Sequence, residues 1–224
     1  MIKAVIFDMF ETLVSLYTCE SYKGSEIARD LGVEETKFRT IWNPSEDPRA
    51  RGQQTVGEVI EDIMRNYSVY DEKLLNEILR RRTAALVNTY KTYRPDIITM
   101  LDALKNHGMQ IGLITNCYFE ERDVMKKSEI FEYFDVACMS CELGITKPDQ
   151  RIFDICLEKM GVAASECLYV GDGGSNELYA AKSYGMKACQ ATWYLKGVDD
   201  RHLTGRLVEF SEVTNPMDVL KYLD

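Results

Sequence analysis

The chain opens on an apolar run, Ala4-Val5-Ile6-Phe7, that stops at a carboxylate, Asp8. A short continuous run of this kind predicts a strand buried on both faces. Over residues 16–90 strand alternation is lost and helical spacing takes over. Val56, Val59, Ile60, Ile63 and Met64 mark one apolar face, and Leu74, Leu75, Ile78, Leu79 and Leu86 mark another. Between them the charged, turn-rich stretch from Trp42 to Gln54 reads as a loop.

From Pro95 the pattern becomes regular. Pro95 suits a helix start, Ile97, Ile98, Leu101 and Leu104 follow at helical spacing, and Gly108 closes the element. "MQIGLIT", "FDVACMS", "ECLYVGD" and "MKACQAT" read as strands, the last of these as the final one. "EERDVMKKS", "QRIFDICLEKMG" and "SNELYAAKSYG" read as the helices between them. "NPMDVLKYL" reads as a terminal helix capped by Asn215, with Pro216 in its first turn. The tail from Trp193 to Val213 is expected to complete the sheet edge and to carry no chemistry. Alternating strands and helices predict an α/β fold with a doubly wound, Rossmann-like parallel sheet. An all-helical segment is inserted in it, so residues 1–15 and 91–224 form the core and residues 16–90 the insertion.

A formal net charge of −9 argues against general nucleic-acid binding, which needs a basic face. No apolar run reaches the ~18 residues of a membrane span, and the N-terminal run is too short for a signal peptide. Seven scattered cysteines are an odd number, which fits reduced thiols in a cytoplasmic protein better than a disulfide framework. The one CxxC, Cys138 to Cys141, lacks a second pair at zinc spacing and reads as structural. With only His107 and His202 in the chain, a Ser-His or Cys-His mechanism is poorly supported.

In open parallel sheets, ligands bind beyond the carboxyl ends of the strands. The residues at those ends here are Asp8, then Thr115 and Asn116, then Lys147 in "ELGITKPD", then Asp172 in "GDGGSNE". Each alone is an ordinary cap, turn or loop residue; four in order at strand ends make coincidence a poor account. The set suits attack by a carboxylate: Asp8 as a nucleophile made effective by positioning, with Lys147 and Thr115 against the transferring group. Asp8 and Asp172 together suit a hard cation such as Mg2+ shared with a phosphate.

These four segments, "FDMFETL", "LITN", "ITKPD" and "YVGDGGSNEL", resemble the ordered motifs of the haloacid dehalogenase-like hydrolases across nearly the whole chain. The helical insertion resembles that family's small cap domain. The resemblance implies that Asp8 forms a covalent intermediate, Thr115 holds the reacting group, Lys147 neutralises it, and Asn116 faces the substrate. It also implies a Mg2+ site built from Asp8, Asp172 and the backbone carbonyl of Phe10, with Glu177 ordering the metal's outer shell.

One position departs from the family. Its phosphatases usually carry Asp two residues after the nucleophile, where this chain has Phe10. Loss of a positioned general acid-base costs about 10²–10⁴-fold in rate. Three explanations compete. The preferred one is a Mg2+-dependent phosphatase of a small phosphorylated metabolite whose leaving group needs little protonation, or in which another group such as Glu11 assists. The second is a carbon–halogen hydrolase, whose relatives also carry an aromatic there; the third is a binding or regulatory protein without turnover. Asp172 argues against the second, and the retention of all four motif residues argues against the third. Arg49 and Arg51 are candidates for a substrate anion when the cap closes, against the plainer reading of solvated loop charges. Trp42 reads as helix packing, against the alternative of a place in the cleft wall, and the run Arg80-Arg81-Arg82 as an exposed helix face. Monomer and homodimer both remain open.

Overall fold

The computed structural model describes residues 1–195 and 204–223. After β1 (Ala4–Phe7) come five helices: α1 (Gly24–Leu31), α2 (Glu35–Trp42), α3 (Glu46–Ala50), α4 (Val56–Asn66) and α5 (Glu72–Thr89). The chain then alternates through α6 (Pro95–Asn106), β2 (Gln110–Thr115), α7 (Phe119–Met125), β3 (Val136–Met139), α8 (Ser140–Leu143) and α9 (Gln150–Met160). It ends with β4 (Cys167–Gly171), α10 (Glu177–Ser183), β5 (Lys187–Ala191), β6 (Ser211–Val213) and a 3-10 turn, Pro216–Tyr222.

The six strands pair in parallel in the order β3-β2-β1-β4-β5-β6. β1 therefore lies between β2 and β4, and the strand order runs outward from it in both directions. That is where an open α/β sheet leaves a crevice at its carboxyl edge. All four residues of β1 are fully buried, which is why the strand reads as an unbroken apolar run rather than an alternating one. One core layer packs Val5, Phe7, Leu113 and Val170 with α6. The other packs Ile6, Ile114 and Tyr169 with α9 and α10. No described helix is long and apolar enough to cross a membrane.

The helices between β1 and α6 form their own core around Ile27, Phe38, Val59, Ile60, Ile63 and Ile78. Their ends follow from local chemistry. At α4, Thr55 Oγ1 accepts from the Glu58 amide at 3.1 Å, and the Glu58 carboxylate accepts from the Thr55 amide at 2.7 Å, a reciprocal cap. Asp71 accepts from two free amides of α5, and Asn215 caps the terminal turn through the Met217 amide.

Three expectations are corrected. The stretch from Trp42 to Gln54 is not all loop: α3 forms within it, because Pro48 falls in the helix's first turn, where its missing amide costs nothing. "MKACQAT" is not the last strand, since β6 adds to its outer edge. Arg82 does not share an exposed face with Arg80 and Arg81. It is buried and reaches Glu120 at 3.0 Å and Glu121 at 3.5 Å on α7, tying the helical layer to the sheet layer. Of the tail, residues 196–203, including His202, lie outside the described residues. Its described part braces the turn after β1. Trp193 Nε1 donates to the Thr12 carbonyl at 2.7 Å, and the Tyr194 hydroxyl donates to the Leu13 carbonyl at 3.3 Å.

Candidate active site

The carboxyl edge of the sheet gathers the residues picked out at the strand ends. The Asp8 amide donates to the Val170 carbonyl of β4 at 3.0 Å, so β1 carries its register one residue past the strand and fixes where the Asp8 side chain leaves the backbone. Lys147 arrives from the loop after α8, and its Nζ lies 2.5 Å from Asp8 Oδ1 and 2.5 Å from Glu177 Oε2. Asn116 clamps that loop: its Oδ1 accepts from the Lys147 amide at 2.8 Å, and its Nδ2 donates to the Lys147 carbonyl at 3.3 Å and to Ser175 Oγ at 3.2 Å. Thr115 ends β2 fully buried. Asp172 follows β4, with Oδ1 accepting from the Gly174 amide at 2.9 Å and its carbonyl accepting from Gln190 Nε2 at 2.8 Å.

Glu177 is fully buried at the start of α10 and accepts from three donors: Lys147, the Tyr169 hydroxyl at 3.0 Å and the Gly173 amide at 3.2 Å. The glycine that ends β4 is what lets it approach. A Cβ on Gly171 would sit 2.0 Å from Glu177 Oε1, well inside contact distance. Tyr169 and Gln190, which hold Glu177 and the Asp172 backbone in place, give no signal in the sequence. On buried strands they are indistinguishable from core residues until the sheet is assembled.

Carboxylate oxygens of Asp8, Asp172 and Glu177 come within 4.8 Å of one another. With Lys147 beside them, three buried carboxylates and one ammonium leave a formal excess of negative charge. The local electrostatics register that excess. Burial first, and then the charge of Asp8, pushes Asp172 up to about 6. The same two causes raise Glu177 against the pull of Lys147. Burial opposes the charge on Lys147, but Asp8 and Glu177 outweigh it and hold the ammonium above the ordinary lysine value. A divalent cation with a preference for hard oxygen donors would close the balance, and the donor set fits one.

Phe10 is half-buried and lines a cavity of about 530 Å³ beside this cluster, together with Asn116, Lys147 and Ser175 from the sheet side and Glu46 and Asp47 from α3. Glu11 does not turn toward it. At φ 56° its backbone bends away, and its carboxylate accepts from Ser15 Oγ at 2.6 Å and the Leu16 amide at 2.8 Å. Burial pushes that carboxyl up to about 7. A second cavity, about 850 Å³, adjoins the first and shares Leu16, Asn43, Glu46, Tyr118 and Glu121 with it.

The two arginines proposed for a substrate anion part company. Arg51 is bound to Asp47 at 2.9 Å and its Nη1 donates to the Gly144 carbonyl at 3.4 Å; it lines neither cavity. Asp47, one turn earlier on α3, takes its charge. Arg49 instead points into the second cavity, buried to 2 % exposure between Trp42 and Tyr118. Trp42 thus both packs α2 and walls the cavity. The cysteines are structural in their contacts: Cys117 meets Cys141 at 3.8 Å, and Cys138 lies buried in the opposite core layer.

The model of the haloacid dehalogenase-like hydrolases matches residues 2–185. The chain belongs to that family. The hydrolase is 27% identical over 198 residues to a glyceraldehyde 3-phosphate phosphatase of Methanocaldococcus jannaschii, a match covering 83% of each chain. Its fold is similar to that of a 2-haloacid dehalogenase of Pseudomonas syringae, with TM-score 0.67 and 23% identity over 99% of this chain and 97% of the other. It is also similar to that of a family enzyme of Bacteroides thetaiotaomicron solved with magnesium and inorganic phosphate. There the TM-score is 0.61 and the identity 16% over 90% and 98% of the two chains. At such identities the two structures speak for the fold alone.

Proposed function

We propose that this hydrolase is a Mg2+-dependent phosphatase of a small phosphorylated metabolite, with residues 1–15 and 91–224 as catalytic core and residues 16–90 as cap. The observation that carries the reading is the buried cluster of Asp8, Lys147 and Asp172, with Glu177 behind it, whose excess of carboxylate oxygens over cationic groups suits a divalent cation and, through it, a phosphate. The phosphatase of Methanocaldococcus jannaschii, matched over most of both chains, supports the same choice.

In this reading Lys147 engages Asp8 Oδ1 and leaves Oδ2 to attack. An Asp8 oxygen bonds to phosphorus as the ester P–O bond breaks, giving an aspartyl phosphate and an alkoxide or phenolate that takes its proton from solvent. Water then attacks that phosphorus, releasing inorganic phosphate and restoring the carboxylate. Thr115 holds the phosphoryl group, Lys147 offsets its charge, and Asn116 fixes the Lys147 loop at the substrate's edge. Asp8, Asp172 and the Phe10 carbonyl would hold magnesium, which supplies charge neutralisation at the phosphoryl oxygens. The family resemblance gives Glu177 the metal's outer shell. Its oxygens also accept from Lys147, Tyr169 and Gly173, so it positions Lys147 as well.

Phe10 cannot give the leaving oxygen a proton, so turnover should favour esters whose leaving group departs as an anion. The test is a panel of p-nitrophenyl phosphate, acetyl phosphate and 2-chloropropionate, each with magnesium or EDTA, and with Asp8→Asn as control. Phosphate release that EDTA abolishes and Asp8→Asn lacks is the expected result. Chloride release indifferent to EDTA would establish the carbon–halogen reading that Phe10 favours, and silence on every substrate would sink both.

A further inference from the structure

Arg49 poses a problem of charge. Its side chain is 2 % exposed, yet among the described residues no ion pair includes it. Nε donates to the Ser45 carbonyl at 3.2 Å and to Ser45 Oγ at 3.0 Å, and Nη2 donates to the Trp42 carbonyl at 3.3 Å; all are neutral acceptors. Nη1 has no partner among the described residues. The guanidinium is held over the Trp42 ring at 4.1 Å and the Tyr118 ring at 4.4 Å, so its plane is fixed by two aromatic faces. A buried charge left unpaired is strongly unfavourable, and a protein keeps such a group where something else completes it. Arg82, which also lines this cavity, is different: it pairs directly with Glu120 and Glu121, whose charges reach Arg49 only through space.

The place of the unpartnered nitrogen is informative. Arg49 lines the larger cavity and not the one beside Asp8, while Tyr118, Glu46 and Asn43 line both. The cavity that Arg49 lines therefore abuts the one at Lys147 along a shared wall that includes Tyr118. One N–H-bearing nitrogen, on a guanidinium braced by rings, matches an anionic oxygen acceptor.

We propose that the cavity between α2, α3 and α5 is a second anion subsite of the hydrolase, in which Arg49 binds an acidic group at the far end of the substrate. The substrate class is then a phosphomonoester that carries a second acid, a carboxylate or a second phosphate, on the same small molecule. This rests on the phosphatase reading above and extends it from reaction to substrate.

Paired, non-hydrolysable ligands test it. Alkyl phosphonates of two to five carbons ending in carboxylate, in phosphonate or in hydroxyl are titrated calorimetrically into the magnesium-loaded wild-type protein, Arg49→Lys and Ala85→Phe. Ala85 lines the same cavity, and a phenyl ring there narrows it while leaving the guanidinium in place. The wild type should bind at least one acid-ended chain about 10-fold or more tighter than its hydroxyl counterpart, the range of a charge-assisted hydrogen bond. Both variants should bring that ratio below about 3-fold, with Ala85→Phe deciding the matter if Arg49→Lys does not fold. The carboxylate and phosphonate arms tell which acid is taken. Equal binding of acid and hydroxyl chains by the wild type, or a preference that survives both changes, overturns the subsite. If p-nitrophenyl phosphate is still hydrolysed in that case, only the subsite falls; if no phosphonate binds and no phosphomonoester turns over, the phosphatase reading falls with it.

Discussion

Replacing Lys147 by methionine removes the ammonium while nearly keeping the shape, and it tests the charge balance at the centre of the site. Lys147 Nζ lies 2.5 Å from both Asp8 and Glu177, and the side chain is 4 % exposed. Without it three buried carboxylates face one another. Breaking a buried ion pair on one side costs about 3–5 kcal/mol. For a protein of this size, where 1 kcal/mol moves Tm by about 2–4 °C, the metal-free variant should melt roughly 6–20 °C below wild type at pH 8. Two further readings distinguish this cause from a packing defect. Magnesium should raise the Tm of the variant more than that of the wild type, because it replaces the missing positive charge. The deficit should also shrink toward pH 5. Asp172 has a raised carboxyl, at about 6, so its protonated form is favoured in the fold and the repulsion fades as pH falls through that value. Differential scanning calorimetry of both proteins in EDTA and in magnesium, at both pH values, gives the eight melting temperatures needed. A Lys147→Met protein that melts within about 2 °C of wild type in EDTA at pH 8 would refute the reasoning.

Other expected outcomes concern particular contacts. Gly171→Ala places a Cβ 2.0 Å from Glu177 Oε1, so it should displace Glu177 and loosen Lys147, lowering kcat at least ~10-fold while far-ultraviolet circular dichroism stays native. Unchanged kcat would mean that Glu177 does not position the site. Glu121 is buried against Arg82, and burial first, then Glu120, raises its carboxyl from 4.5 to about 7. A raised carboxyl contributes stability below its unfolded value and loses it as pH rises through the folded value, about 3 kcal/mol at 1.36 kcal/mol per unit. Wild-type Tm should therefore fall as pH rises from 4.5 to about 7, and Glu121→Gln should flatten that fall; parallel melting curves for the two proteins would count against it. Phenyl phosphates of graded leaving-group acidity should give a steep decline in kcat/KM as the phenol pKa rises, and Phe10→Asp should make the decline shallower. An already shallow dependence in the wild type would mean that some group other than residue 10 delivers the proton.

Much of this site is legible because the fold puts chemistry where the apolar runs stop. "AVIF", "GLI" and "LYV" are buried strands, and the polar residue that ends each is forced to the sheet's carboxyl edge. What stays hidden depends on contacts between distant segments. Tyr169 sits in the middle of a strand and reveals its hydroxyl's partner only when α10 packs back on β4. The burial of Arg49 needs Tyr118, which arrives from the far side of the inserted helices. Arg82 is a different case, since its signal is present. Ile78, Arg82 and Leu86 are spaced by four, so the period that marks the apolar face of α5 also places Arg82 on it. Reading "RRR" as one exposed block overrides that spacing. At position 10 the sequence shows plainly which group is missing.

The central claim is that Asp8 attacks the substrate and carries the phosphoryl group. Acetyl phosphate labelled with 32P, mixed with the magnesium-loaded protein, quenched in acid within one turnover and digested with pepsin, tests it most directly. Acid-stable label on the peptide that contains Asp8, lost when EDTA is added or when Asp8→Asn is used, is the expected result. Phosphate released through many turnovers with no label at Asp8 at any quench time would contradict it.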